Sequence, residues 1–187
     1  ILTEKGRTIV NAYFDQEEKK KQRAIAKFKK EFHNGNLLLA EQAAISYRNK
    51  KALGGGISGD DLEPSSRIPK LFENVPPMIR NVEPEYLNLA REVSAADEAF
   101  GGERIFSYDL LNTKTCIGLT IKQVALVFSK SMWYRAAIEK AKSNNLVKYF
   151  YINGQEKSCC SECKKLLGYY PIDKPIPVLP NEKCLNF

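Results

Sequence analysis

Four of the five cysteines of this 187-residue chain fall near its C-terminus: Cys159, Cys160, Cys163 and Cys184. Cys160-Ser-Glu-Cys163 sets two thiols at the spacing of a tight knuckle, from which both sulfurs can reach one metal ion, and Cys184 is far enough downstream to return as a third ligand. Cys159 is a candidate for the fourth position, as is the distant Cys116; a second CxxC and a nearby histidine are both missing. Zinc is the cofactor such a set of thiolates indicates. An odd number of cysteines, most of them clustered, suits a metal site better than a disulfide framework, with a structural disulfide and simple thiol burial as alternatives. A catalytic redox pair would open a helix after a strand, whereas this CxxC follows a polar turn.

The second chemically suggestive group is cationic. Lys19, Lys20, Lys21, Arg23, Lys27, Lys29 and Lys30 sit in a stretch of helical pattern whose residues 15–23 (DQEEKKKQR) are polar all round. A helix segment without an apolar face bridges solvent or lies on another molecule. Charge spread around it suits a surface of phosphates better than base edges, so nucleic-acid backbone, DNA or RNA, is the expected partner, read without sequence preference. Arg135, Lys140 and Lys142 form a smaller basic group. In a helix-turn-helix reading, Thr120–Phe128 supports and Met132–Lys142 offers these three to a duplex, with the strand after it as a wing. Lys130 and Arg135 occupy positions that such a motif keeps apolar, which favours one packed amphipathic helix instead.

The charge is segregated. Residues 1–52 hold twelve basic and six acidic side chains, residues 53–115 six and eleven, and residues 116–187 eleven and five, for a net +7. Basic ends touching phosphate and an acidic middle touching protein account for that pattern. The single histidine, His33, excludes hydrolytic triads and His-rich metal centres; between Lys29-Lys30 and Asn34-Gly35 it reads as the end of a helix. No paired base and nucleophile, no phosphate-cradling glycine loop and no HxE partner to the CxxC can be found, so the expectation is a protein that is not an enzyme. No apolar run has the roughly 20 residues of a membrane span, and no membrane partner is expected. The chain begins at Ile1, so we expect a processed or trimmed N-terminus and a location inside a cell or a virion.

The elements that would position these residues follow from periodicity. A long helix covers about residues 8–32, a second covers 36–52, and Gly54-Gly55-Gly56 ends it; together they form a basic helical arm, residues 1–52. Residues 53–82, rich in Gly and Pro, read as an extended linker. A helical core at 83–145 comprises a helix over 84–100, a short strand over 104–111, and a helical stretch opened by the capping-box pair Thr120 and Gln123. A last unit, 146–187, holds a strand (LVKYFYI), the hairpin turn Asn153-Gly154, a return arm Gln155–Ser158 and the cysteines. The fold class is α+β, mainly helical, with a small hairpin and zinc-knuckle-like subdomain at the C-terminus.

Residues 120–187 resemble the phage Mu F-like minor head, or head morphogenesis, proteins. The resemblance is carried in order by Trp133–Lys142, Val147–Ile152, Asn153–Ser158, Cys160 and Cys163, Leu166-Leu167-Gly168, the proline-rich Pro171–Pro180 and Cys184. Asn181 stands where that family has a histidine, and Asn186 where it has its last cysteine. The resemblance implies a non-enzymatic subunit near the capsid portal, close to packaged DNA. The charge pattern, the long unsupported helix and the linker independently describe a basic structural subunit of a large nucleoprotein assembly, a phage head or a ribonucleoprotein particle such as a ribosome, among other protein subunits. The alternative is a free-standing DNA- or RNA-binding protein with a helix-turn-helix, wing and zinc knuckle.

Overall fold

The structure, a computed structural model, describes residues 3–52, 74–100, 105–153, 160–177, 179–181 and 183–184. Its elements in chain order are α1 (Glu4–His33), α2 (Leu37–Ala52), a 3-10 turn (Pro77–Ile79), α3 (Pro84–Phe100), α4 (Tyr108–Asn112), α5 (Ile121–Ser143), β1 (Tyr149–Ile152), α6 (Ser161–Lys164) and β2 (Gly168–Pro171). Thus the expected mainly helical α+β class holds, with one two-stranded antiparallel sheet among the described residues.

Local signals set the helix ends. The Thr3 side chain caps α1 by accepting the Gly6 N–H at 3.2 Å. Gly35, at φ +76, lets the chain leave in a Schellman turn: Gly35 N–H donates to Phe32 O at 3.0 Å and Asn36 N–H to Glu31 O at 2.9 Å. From there α2 runs back along the second half of α1, forming the expected helical hairpin. His33 occupies the last turn, as expected, and its Nε2 also lies 3.1 Å from Glu92 Oε2, joining the end of α1 to α3.

The core lies where α1, α2, α3 and α5 meet. Phe28 is 0% exposed, edge-on to Phe100 at 5.5 Å and stacked on Phe32 at 5.8 Å. Small residues of α3, among them Ala90, Ala96 and Ala99, are buried in one cluster with Val124, Val127, Phe128 and Met132 of α5. Ser94 and Ser129 hydroxyls, 2.7 Å apart, satisfy each other between these helices. Ile25, Phe28, Ala40, Ala44 and Tyr47 belong to the same cluster, so the core runs across residues 1–52 and 83–145. In α1 the buried residues are Ile25 and Phe28; Glu4 to Lys20, about 25 Å of helix, lies to the N-terminal side of both.

Two expectations are corrected, and the favoured single helix after Thr120 is found. Of the strand expected over 104–111, the described residues 105–111 do not make one: Ser107 accepts the Leu110 N–H at 3.3 Å and starts α4, so a local cap outweighs the β propensity of Ile105 and Phe106. The stretch from Ile121 is one continuous helix, because Val124, Phe128, Ser131 and Met132 are buried along a face that passes straight through Ser129-Lys130-Ser131; the helix-turn-helix therefore has no turn. Its start is as expected, with Thr120 N–H donating to Gln123 Oε1 at 2.9 Å and Gln123 N–H to Thr120 Oγ1 at 3.2 Å. β1 pairs with Gly168–Pro171, beyond the CxxC, where Tyr169 faces Tyr151 across the ladder; the expected return arm Gln155–Ser158, like Gly154, lies outside the described residues. Finally, part of the supposed linker is core: Pro76, Ile79 and Val82 are buried around the 3-10 turn, which Pro77 opens with its fixed φ, while 53–73 lie outside the described residues. No helix among the described residues is long and apolar enough to cross a membrane.

Candidate metal centre and cationic cleft

Cys160, Cys163 and Cys184 place their sulfurs within 4.8 Å of one another and could hold a metal ion. The knuckle is local. Cys160 precedes α6 and its carbonyl accepts the Lys164 N–H at 3.0 Å, while the Cys163 carbonyl accepts the Leu166 N–H at 3.0 Å. One helical turn thus puts both sulfurs on one side. The Tyr170 hydroxyl donates to Leu166 O at 3.1 Å and ties the knuckle to β2. Cys184 arrives on a turn organised by Asn181, whose carbonyl accepts the Cys184 N–H at 2.9 Å and whose side chain accepts the Lys183 N–H at 3.0 Å.

Three soft donors so arranged could hold a metal ion; around a tetrahedral zinc, thiolates about 2.3 Å from the ion lie about 3.8 Å apart. Burial, then the hydrogen bonds its thiol makes to Cys184 and Cys160, push the Cys163 thiol well up, the reverse of the depressed thiol a redox nucleophile uses. A bound dication would invert this balance and favour thiolate. Among the described residues, Cys116, Cys160, Cys163 and Cys184 form no disulfide. Cys159 lies outside the described residues, and Cys116 sits elsewhere, its N–H donating to Glu83 Oε1 at 2.9 Å and its thiol to Asn81 O at 3.1 Å.

The hairpin that carries the cluster rests on α5. Tyr134 meets Phe150 edge-on at 5.6 Å, and the buried Tyr134 hydroxyl has no hydrogen-bond partner among the described residues. Burial, followed by the neighbouring Tyr170, pushes this phenol up to about 12.

The cationic residues of α1 divide into groups. Lys20, Arg23 and Lys27, at i, i+3 and i+7, line one flank of a cleft of about 540 Å³ whose other residues include Glu17, Ser46 and Tyr47. Lys20 Nζ is 2.6 Å from Glu17 Oε1, and this carboxylate's hydrogen bond and charge raise the lysine pKa. Lys19 and Lys30 are exposed and Lys21 half-buried, whereas Lys29 stands over the Phe106 ring at 4.7 Å. Arg135, half-buried, and Lys140 and Lys142, exposed, lie on α5, the last two in its final turn where they complement the helix dipole. Ser46 and Tyr47 reach the cleft only because α2 folds back on α1, and no spacing within α1 announces them. Comparison with protein-family models, curated proteins and solved structures finds no match.

Proposed function

We propose that this chain is a non-enzymatic, basic structural subunit of a large nucleoprotein assembly, of the phage minor-head kind or a ribonucleoprotein kind, that holds nucleic-acid backbone along α1. The observation that carries this reading is the row Lys20, Arg23 and Lys27 lining a cleft on a helix whose first half projects past the core. Phosphates are the anions such a row suits: its steps of about 4.5 and 6 Å along the helix follow a repeating chain of charges. Ile9, Tyr13 and Phe14, exposed on the projecting half, give neighbouring protein subunits an apolar surface. Zinc at Cys160, Cys163 and Cys184 is the cofactor we assign. Its role is structural: it clips the turn at Cys184 to the knuckle and so completes a unit too small to bury a core of its own.

The test is the salt dependence of binding to duplex DNA and to single strands. Each lost phosphate contact flattens the log–log slope by about 0.9 on duplex and about 0.7 on single strands. A variant with Lys19, Lys20, Lys27 and Lys30 all changed to Gln should lose roughly 2 to 4 units of slope without changing preference among sequences. An unchanged slope overturns the assignment.

A further inference from the structure

Alternation along the two-stranded sheet sorts its side chains by face. Phe150, Ile152 and Tyr170 turn inward, with Ile152 1% exposed and Phe150 against Tyr134. The opposite face carries Tyr149, Tyr151 and Tyr169, which are 60%, 51% and 73% exposed. Tyr151 pairs with Tyr169 across the ladder, and their rings stack with centroids 4.5 Å apart at 25°. Tyr149 lies two residues along the same face, opposite Pro171.

A cross-strand aromatic pair stabilises a short ribbon, and that accounts for the Tyr151–Tyr169 stack. It does not account for a third exposed ring beside it. The described segments that adjoin the ribbon are net cationic, although alternation sets Lys148 on the Phe150 side. Lys148 immediately precedes β1 and its carbonyl accepts the Ile172 N–H at 3.0 Å; Lys174 closes the turn after β2, its N–H 3.1 Å from Pro171 O. Lys140 and Lys142 end the helix that leads into β1, and Lys164 ends the one before β2. Asp173, Glu139 and Glu162 are the acidic residues of the same described stretches, and Glu162 is held by Lys165 at 2.6 Å.

Exposed aromatic rings between cations are the combination that binds unpaired bases, since every base offers a π-face and every linkage a phosphate. We infer that the outer face of the β1–β2 ribbon, Tyr149, Tyr151 and Tyr169, with Lys148 just before β1 and Lys174 in the turn after β2, is a stacking platform for single-stranded nucleic acid. It rests on the nucleic-acid reading above but uses a different surface, and it narrows the partner to one that presents unpaired bases. The cysteine knuckle lies between β1 and β2 in the chain and holds the platform through Tyr170.

The experiment measures binding of the full chain, supplied with zinc, to three labelled probes of about 12 nucleotides at one salt concentration: an oligothymidylate strand, an abasic strand of the same length, and a duplex. The wild type should bind oligothymidylate about tenfold or more tighter than the abasic strand. Tyr149→Ala with Tyr169→Ala should reduce that ratio to about one while leaving the abasic affinity unchanged, and the Tyr→Phe pair, which keeps the rings, should restore it. Equal wild-type binding to base-bearing and abasic strands overturns the platform but leaves the backbone reading standing. A ratio that survives the alanine pair overturns it too, and absence of binding to any probe overturns both readings. The wild-type comparison decides the matter even if the alanine pair does not fold.

Discussion

The two ends of this chain stand in opposite relation to its core. At the C-terminal end, a short hairpin and a one-turn helix bury little, and three cysteines converge where a hydrophobic centre would be. At the N-terminal end, a 30-residue helix is tied down by Ile25 and Phe28 in its second half, while Ile9, Tyr13 and Phe14 stay exposed in its first. Among the described residues, neither end is completed by apolar burial. On the function proposed above, the difference lies in what completes each: an ion at the thiols, and a polyanion with a neighbouring protein at the cationic and partly apolar helix. We take this contrast as the mark of a subunit that is finished by what surrounds it.

The sharpest way to break the comparison is at the cysteines. Cys163→Ser, or chelation of the wild type, should abolish stoichiometric zinc binding and unfold the segment from about residue 146 onward, with α1, α2, α3 and α5 still helical. Retention of that segment's protection without metal would remove the ion from the account. A smaller effect separates the halves of α1. Phe28→Ala should cost about 3–5 kcal/mol in chemical denaturation, since it empties a filled site between α1 and Phe100. Phe14→Ala, at a ring 63% exposed, should move stability by no more than about 0.5 kcal/mol. Equal costs would place the first half of α1 inside the folded unit. The smallest effect concerns the join between helix and hairpin. The Tyr134 phenol is raised from its ordinary value of 10.0 to about 12, so the unfolded chain gives up this proton first. The contribution of Tyr134 to stability is whole below pH 10.0 and is lost as pH rises to about 12. Tyr134→Phe should remove that part of the alkaline loss without weakening the protein at neutral pH, because the hydroxyl it deletes is buried without a partner among the described residues.

Where function was legible in the sequence, it was written in local signals. The capping pair Thr120 and Gln123, the Asn34-Gly35 stop and the CxxC each need only a few neighbouring residues, and each is found in the structure. Readings that depended on distant partners fared worse. The described partner of β1 lies beyond the knuckle, a pairing that no signal within the strand or at Asn153-Gly154 announces. Prolines at 76 and 77 read as a linker, yet Ile79 beside them is fully buried in the one core cluster that residues of α1, α2, α3 and α5 share. The cationic cleft mixes the two: Lys20, Arg23 and Lys27 could be named from spacing, but Ser46 and Tyr47 opposite them could not. The tyrosine face was hidden for the same reason, since Tyr151 and Tyr169 become neighbours only through the ladder.

The most direct measurement of whether the two ends are completed by different outside groups is amide hydrogen exchange on the full chain, with and without zinc and with and without duplex DNA. Zinc should slow exchange in the hairpin and knuckle, β1 to Cys184, and leave α1 unaffected; duplex DNA should slow exchange in residues 15–30 and leave the knuckle unaffected. Protection of both ends by one agent alone, or of α1 by neither, would contradict the account.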